Sequence, residues 1–227
     1  MKTIILGFAG GCVRQVTNIF SDQIVSLSEK QLISIEYPGH PLQMHQPLMT
    51  NSTDLIQYLS STIIQKCKNE DFQIVGYSMG ATLIPFISEV LNRLGYKPKK
   101  LILLSADTPF LEKLYKIDTK SVLSLLIKSG LPSSIQQNKK ARDFFITVMK
   151  SDLEILNDLS NRIKNTPLSI GDINTFFISG QDDPNTSRNF IYWKSLYPKA
   201  KFRTFPGGHF FAFDPKNNWN DYFSSIL

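Results

Sequence analysis

The stretch Phe72-Gln73-Ile74-Val75-Gly76-Tyr77-Ser78-Met79-Gly80 decides the fold of this chain. It joins an apolar run of strand length to residues 81–94, an apolar stretch of helical length. In a Gly-x-Ser-x-Gly turn of this kind the chain bends so sharply that the serine oxygen stands clear of the backbone. The two glycines fit because strand and helix pass too close there for a Cβ. Ser78 is therefore a candidate nucleophile, and an ordinary strand-to-helix turn is the alternative.

The same alternation of strand-length and helix-length segments continues on both sides of this turn. The predicted strands cover residues 3–8, 32–37, 72–75, 101–105, 174–179 and 201–205, and the predicted helices cover residues 52–68, 79–94, 188–196 and 217–227. Pro85 falls inside the second helix, where we expect a kink or a shifted start. This order predicts one α/β domain over residues 1–227, with helices on both faces of a mostly parallel sheet.

Residues 110–165 interrupt the alternation with three amphipathic segments, 119–129, 139–150 and 152–163, and no strand. An insertion of this kind predicts a helical lid over the mouth of a site. It contains ten Lys or Arg and six Asp or Glu, which fits either a solvated outer face or a docking surface for an acidic partner. Its apolar side chains fit either a substrate pocket or core packing: Leu123, Leu126, Ile127, Phe144, Phe145 and Val148.

A nucleophilic serine needs an imidazole to take its proton. In folds with this turn the chain order is serine, then acid, then histidine. His209 is the only histidine after Ser78, and it follows the last predicted strand in the sequence Pro206-Gly207-Gly208-His209. We therefore predict His209 as the general base, with a packed loop histidine as the alternative.

The imidazole in turn needs a carboxylate to hold it. Asp182 and Asp183 directly follow the predicted strand 174–179, at the place from which a carboxylate can reach the far nitrogen of the ring. Asp107, after the preceding strand, is the fallback. A loop-capping role is open to these aspartates as well, since Asx turns before proline are common.

The reaction also needs donors for an oxyanion. The backbone N–H of Met79, at the start of the helix after the turn, is the first candidate, and the second is expected in the loop after the first strand. That loop reads Phe8-Ala9-Gly10-Gly11, which offers the amide of Phe8 or Ala9. A phosphate-binding role for this loop is less favoured, because Gly-x-Gly-x-x-Gly and Gly-Lys-Ser/Thr are both absent.

Composition excludes other classes of function. The chain has 227 residues, a net charge of +6, two cysteines and three histidines. The cysteines, Cys12 and Cys67, are too few for a disulfide framework, so we expect a reducing, cytoplasmic setting. No histidine or cysteine cluster predicts a metal site, no apolar run reaches the length of a membrane span, and scattered lysines do not favour nucleic acid. Residues 2–12 are similar to a short export signal, but a buried first strand is the preferred interpretation.

Taken together, these residues resemble the type II thioesterases, the stand-alone editing hydrolases of nonribosomal peptide and polyketide synthesis. The segments that carry the resemblance are Phe8-Ala9-Gly10-Gly11, Tyr37-Pro38-Gly39-His40, Gly76-Tyr77-Ser78-Met79-Gly80-Ala81, Gly180-Gln181-Asp182-Asp183-Pro184 and Pro206-Gly207-Gly208-His209-Phe210-Phe211. The first and last are the more specific, because all α/β-hydrolases share Gly-x-Ser-x-Gly. In the family pattern the acid stands third after the glycine, which matches Asp183 and not Asp182. Tyr77 departs from the many members that have histidine there.

The resemblance implies an α/β-hydrolase fold with a helical lid, and a serine thioesterase with Ser78, Asp183 and His209 as its triad. The implied substrate is an acyl group on the phosphopantetheine arm of a carrier protein. Carrier proteins are generally acidic, which gives the basic lid a partner. We expect a monomer with no cofactor of its own, and no nucleic-acid or membrane partner. The rival functions are a general carboxylesterase with the same triad and a scaffold that binds acyl carriers without turnover.

Overall fold

The computed structural model describes residues 1–23, 31–68, 70–110, 114–163, 172–214, 217 and 219–226. Its strands are β1 Lys2–Leu6, β2 Leu32–Ile35, β3 Phe72–Tyr77, β4 Lys100–Leu104, β5 Asn174–Gly180 and β6 Lys201–Phe205. They form one sheet in the order β2-β1-β3-β4-β5-β6, and all five pairings are parallel. The predicted parallel sheet is therefore confirmed, with shifts of one or two residues at the strand ends.

The described helices are α1 Val13–Gln23, α2 Ser52–Cys67, α3 Met79–Arg93, α4 Thr119–Lys128, α5 Ser133–Gln137, α6 Lys139–Ile163, α7 Thr186–Leu196 and α8 Trp219–Ile226. Sequence reasoning missed α1 and the short α5. Helix α1 forms because its apolar face packs on the sheet. Helix α3 begins directly at Met79 and continues past Pro85, so the proline does not shift its start. Residue 227, the predicted end of the last helix, lies outside the described residues.

Helices cover both faces of the sheet because its strands are apolar on both sides, as parallel strands are. Ile4 and Leu6 point to the face covered by α2, α3 and α7. Ile5, between them, points to the other face, where α1 and α8 pack. None of the helices in the described ranges is both long enough and apolar enough to span a membrane.

The segment between β4 and β5 holds α4, α5 and α6 and has a small apolar core of its own. The two helices predicted at 139–150 and 152–163 are one continuous helix, α6. The helix passes through Ser151 without a break, and the Ser151 hydroxyl donates to the Met49 carbonyl on a neighbouring segment. Of the predicted range 110–165, residues 111–113 and 164–165 lie outside the described residues.

The strand order fixes where a site can form. The direction of winding reverses at β1, since β2 lies on one side of it and β3 on the other. In open α/β sheets ligands bind in the crevice at the carboxyl ends of the strands at such a reversal. The loop after β1 and the turn after β3 both lie at this crevice.

Candidate active site

Ser78 lies in a strained turn between β3 and α3. Its φ of 52° is in the left-handed region, which costs a non-glycine residue energy and is found most often at functional sites. The turn is fixed by two backbone bonds: the Ser78 amide donates to the Leu104 carbonyl at 2.8 Å and the Gly80 amide donates to the Gly7 carbonyl at 3.0 Å. A Cβ on Gly80 would lie 2.5 Å from the Gly7 oxygen, so the close crossing requires glycine.

His209 follows β6 and brings its ring over the serine. Its Nε2 lies 2.8 Å from Ser78 Oγ, and its Nδ1 lies 2.7 Å from Asp183 Oδ2. The backbone of His209 is held as well, because its carbonyl accepts from the Tyr77 hydroxyl at 2.9 Å and from the Ser105 hydroxyl at 2.7 Å. Tyr77 thus takes part in placing the imidazole, a role that sequence reasoning did not find.

Asp183 lies just beyond the end of β5, with a side chain only 5% exposed. Its Oδ1 accepts from the Asn185 amide at 3.0 Å, while Oδ2 faces the His209 ring. Burial by itself would raise the pKa of Asp183. The hydrogen bonds from His209 and from the Asn185 amide, with the charges of His209 and Arg188, outweigh burial and lower this pKa. The group is therefore an ionised acceptor aimed at Nδ1.

The other two candidate acids are engaged elsewhere. Asp182 is exposed, and its Oδ2 accepts from the Gly207 amide at 3.1 Å. Asp107 accepts from Asn189 Nδ2 at 2.8 Å and, weakly, from the Tyr115 hydroxyl at 3.4 Å. Neither carboxylate contacts His209 in the part of the chain that the structure describes. The geometry brings Asp183, and not these two, to the ring.

A cavity of about 230 Å³ opens above Ser78 and His209. Its roof is apolar and comes from α4 and α6, through Leu125, Met149, Leu153 and Leu156. None of the six apolar side chains named from sequence lines it. Leu126 and Phe145 line a neighbouring cavity, also about 230 Å³, on the other side of the loop 8–12. The i, i+4, i+7 spacing of residues 149, 153 and 156 marks an apolar stripe on α6, and the structure shows that this stripe faces the cavity.

The candidate oxyanion donors line the same cavity: Phe8, Ala9 and Met79. Within the described residues, none of their backbone amides has a protein acceptor. The next amide of the loop, that of Gly10, is taken by Asp152 Oδ2 at 2.7 Å. The amides of the three predicted residues are therefore free of acceptors in the described part of the chain, whereas that of Gly10 is not.

Other chemistry has little support among the described side chains. Cys12 and Cys67 are not joined in a disulfide, and burial raises the pKa of each thiol to about 11, so neither is an activated nucleophile. The described ranges contain no group of three His, Cys, Asp or Glu side chains arranged to hold a metal ion.

A parallel sheet with a serine on a strand-to-helix turn, followed along the chain by an aspartate and a histidine that meet it, defines the α/β-hydrolase class. Within that class, residues 3–221 match the family model described as "Thioesterase domain". The chain therefore belongs to the thioesterase domain family, whose members hydrolyse thioesters.

Two curated relatives match most of the chain. The human medium-chain S-acyl fatty acid synthase thioesterase is 24% identical over 194 residues, which cover 81% of this chain and 71% of the relative. The probable anguibactin biosynthesis thioesterase AngT of Vibrio anguillarum is 28% identical over 200 residues, 81% of this chain and 76% of the relative.

Solved structures share the fold over the full chain. RedJ, a thioesterase from the prodiginine pathway of Streptomyces coelicolor, superposes with a TM-score of 0.82 at 20% identity, covering 100% of this chain and 90% of RedJ. YbtT, a type II thioesterase from the yersiniabactin NRPS/PKS pathway, gives a TM-score of 0.78 at 18% identity, covering 99% of this chain and 90% of YbtT. Both likenesses establish the α/β-hydrolase fold.

Proposed function

We propose that this protein is a serine thioesterase that releases acyl groups from the phosphopantetheine arm of carrier proteins. Ser78 is the nucleophile, His209 the general base and Asp183 the carboxylate that orients the ring. The observation that carries the proposal is the hydrogen-bonded row from Asp183 through His209 to Ser78, with contacts of 2.7 and 2.8 Å, at the floor of an apolar cavity.

The first half of the reaction forms an acyl-enzyme. Ser78 Oγ attacks the thioester carbonyl carbon while His209 Nε2 takes the hydroxyl proton. The carbonyl oxygen becomes an oxyanion, which the N–H of Met79 and that of Phe8 or Ala9 stabilise. The carbon–sulfur bond then breaks, and the imidazolium of His209 gives its proton to the departing sulfur, so that the pantetheine thiol leaves neutral.

The second half frees the acid. A water molecule takes the place of the thiol and loses a proton to His209 Nε2 as it attacks the acyl carbonyl. The same amides hold the second oxyanion. The bond to Ser78 Oγ then breaks, and His209 returns the proton to the serine. The ionised Asp183 stabilises the imidazolium in both halves, and no cofactor of the enzyme takes part.

Three features support a carrier-borne acyl substrate. The cavity roof is apolar and suits a hydrocarbon chain. The helices α4 and α6, which supply this roof, act in the proposal as a lid that shields the ester from bulk water. The relatives are thioesterases of biosynthetic systems, a fatty acid synthase and the anguibactin pathway.

Exposed lysines on the lid give the carrier a docking surface of opposite charge. Lys139 and Lys140, the pair selected from sequence, are exposed at the start of α6. Lys116 and Lys120 are also exposed and line a depression that shares Leu125 with the cavity above Ser78. Charge reversal at either pair should raise KM for a carrier-bound substrate and leave KM for a small thioester unchanged. Equal effects on both substrates would refute docking at that pair.

The deciding experiment is intact-mass analysis of an acetyl-loaded carrier protein after incubation with wild type and with Ser78→Ala. Loss of the acyl group with wild type alone is the expected result, because triad members act as a unit and removing one costs several orders of magnitude. If both proteins leave the acyl group in place but wild type cleaves an aryl ester, the protein is a carboxylesterase. Turnover of neither substrate would identify a binding scaffold.

A further inference from the structure

The loop 7–13, which carries the Phe8 and Ala9 amides, is held by side chains from two distant parts of the chain. Three anchors come from the segment around β2. The Tyr37 hydroxyl donates to the Gly7 carbonyl at 2.7 Å, His40 Nδ1 lies 3.1 Å from the Gly11 carbonyl, and the Val13 amide donates to Glu36 Oε1 at 3.2 Å. The fourth anchor comes from α6, where Asp152 Oδ2 accepts from the Gly10 amide at 2.7 Å. Between the anchors at Gly7 and Gly10 lie Phe8 and Ala9, whose amides have no acceptor among the described residues. The anchors thus set the direction of the two free amides.

Two of these anchors, His40 and Asp152, also contact each other. His40 Nε2 lies 3.1 Å from Asp152 Oδ1, and each side chain is only 2% exposed. His40 follows the end of β2, whereas Asp152 lies on α6, 112 residues later. The pair therefore ties the loop after β1 to the helix that roofs the cavity. The proposed triad chemistry uses neither residue.

The contacts define the charge of the pair. A carbonyl oxygen only accepts, so His40 Nδ1 carries a hydrogen toward Gly11; a carboxylate also only accepts, so Nε2 carries one toward Asp152. Burial by itself would lower the pKa of His40. The charge and hydrogen bond of Asp152, the Gly11 carbonyl and the charge of Glu36 outweigh burial and raise this pKa. The Tyr37 ring packs edge-on against the imidazole and stays neutral, because burial raises its pKa well above the usual value.

We propose that His40 and Asp152 are positioning residues, whose charged pair fixes the oxyanion loop and couples it to helix α6. The inference rests on the proposed function, since it assigns the pair to the hydrolysis carried out at Ser78. Neither residue touches the substrate. They act through the backbone of Gly10 and Gly11, which is locked further by packing: a Cβ on Gly10 would lie 3.0 Å from Leu126 and 3.1 Å from Met149.

The pair predicts a pH dependence with a definite sign. Because the folded-state pKa of His40 is raised, the contribution of the charged ring is fully present at low pH and is lost as pH rises through that raised pKa. A neutral ring keeps only one N–H, so deprotonation would turn a lone pair toward either the Asp152 carboxylate or the Gly11 carbonyl, both of which only accept. The loop should therefore loosen on the alkaline side in wild type.

Two substitutions of Asp152 distinguish a role in positioning the loop from a role in stability alone. Asp152→Ala leaves the Gly10 amide and His40 Nε2 without a partner, and kcat on a small acyl thioester should fall about ten- to a hundredfold at nearly constant KM. In Asp152→Asn the amide oxygen can accept from Gly10 while the NH₂ donates to a neutral His40. Both proteins need a neutral His209 and lose kcat on acidification for that reason, so the variant is compared with wild type at each pH. The ratio of its kcat to that of wild type should be highest at alkaline pH, where His40 is neutral, and should fall on acidification.

Asp158→Ala is the matched control. It removes a carboxylate from the same helix, one that accepts from the Ser52 amide at 2.8 Å and from Arg162, away from the loop. Thermal unfolding should report destabilisation in both alanine variants, whereas the selective loss of kcat should follow Asp152→Ala alone. Equal losses of kcat in the two variants, or parallel pH profiles for wild type and Asp152→Asn, would overturn the proposal.

A spectroscopic measurement needs neither turnover nor a disrupted variant. Nitrogen NMR of the imidazole rings, with His45 and His209 identified through single substitutions, should show His40 protonated on both nitrogens in wild type at neutral pH and neutral in Asp152→Asn. A neutral His40 in wild type would overturn the charged pair. If instead wild type fails to hydrolyse any acyl thioester, the proposed function fails, and this spectrum still reports on the pair.

Discussion

Replacing Asp183 by asparagine should invert the hydrogen bonding of His209, the proposed general base. Asp183 Oδ1 accepts from the Asn185 amide, so the asparagine oxygen is held on that side and its NH₂ group faces His209 Nδ1. An NH₂ donor requires Nδ1 to be an acceptor, which moves the ring hydrogen to Nε2. Nε2 then presents a hydrogen to Ser78 Oγ instead of a lone pair and cannot take the serine proton.

The expected magnitude follows from this tautomer. An inversion of this kind at a triad costs about 10⁴-fold in kcat, equivalent to about 5 kcal/mol of transition-state stabilisation. The fold should survive, because the substitution preserves shape and the Asn185 contact. The assay is steady-state hydrolysis of a small acyl thioester, with thermal unfolding to verify that the variant is folded. KM should change little, since Asp183 does not line the cavity.

Asp182→Asn provides the matched control one residue away. Asp182 is exposed, and an asparagine oxygen can still accept from the Gly207 amide. We expect kcat within about threefold of wild type for this surface change. A loss below about tenfold in Asp183→Asn, or a larger loss in Asp182→Asn, would refute the tautomer argument.

Three further outcomes are expected. Tyr77→Phe should cost about 1 kcal/mol of stability in denaturant unfolding but keep substantial activity, because Ser105 still donates to the His209 carbonyl; near-complete inactivation would contradict this. Gly180→Ala should cost about 1–3 kcal/mol and lower kcat, because its Cβ would lie 2.1 Å from the Gly208 oxygen; Gly208→Ala, with open space at its Cβ, is the control. Because the pKa of Asp183 is lowered in the folded state, its contribution to stability is present above the unfolded-state pKa and is lost as pH falls through the folded-state pKa. The Tm of Asp183→Asn should therefore change less on acidification than the Tm of wild type.

The sheet and the serine turn were predictable because their signals are local. The inner strands β1, β3, β4 and β5 are mostly apolar and buried, as two-sided burial requires, whereas the edge strand β6 is largely exposed. The glycines around Ser78 indicate a backbone crossing that no other residue allows. Helix α1 has a weaker local signal. Val13, Val16 and Phe20 recur at i, i+3 and i+7, as in an amphipathic helix, but the helix has only 11 residues and depends on apolar packing against the sheet.

The roof of the cavity and the anchors of loop 7–13 depend on contacts between distant residues. The sequence contains His40 within a family-like motif and Asp152 within an amphipathic segment, but nothing in either pattern indicates that they meet across 112 residues. The periodicity of α6 predicts an apolar stripe, not which neighbour it faces. Side chains chosen from this segment by hydrophobicity alone were therefore not those that line the cavity above Ser78.

The choice between the two adjacent aspartates has a physical basis in the pairing of β5 with β6. Gly180 pairs with Phe205, and the chain after β6 passes so close that only glycine fits at position 180. The Asp183 amide donates to the Gly180 carbonyl at 3.3 Å, which turns Asp183 back toward the sheet. The Asp182 amide donates to the Gly207 carbonyl at 2.9 Å, and the Asp182 side chain accepts from the Gly207 amide in the same loop. The Asp182 carboxylate thus holds the loop that carries His209, and the Asp183 carboxylate accepts from the His209 ring. A shift of one residue would exchange these two environments, so neither aspartate can replace the other.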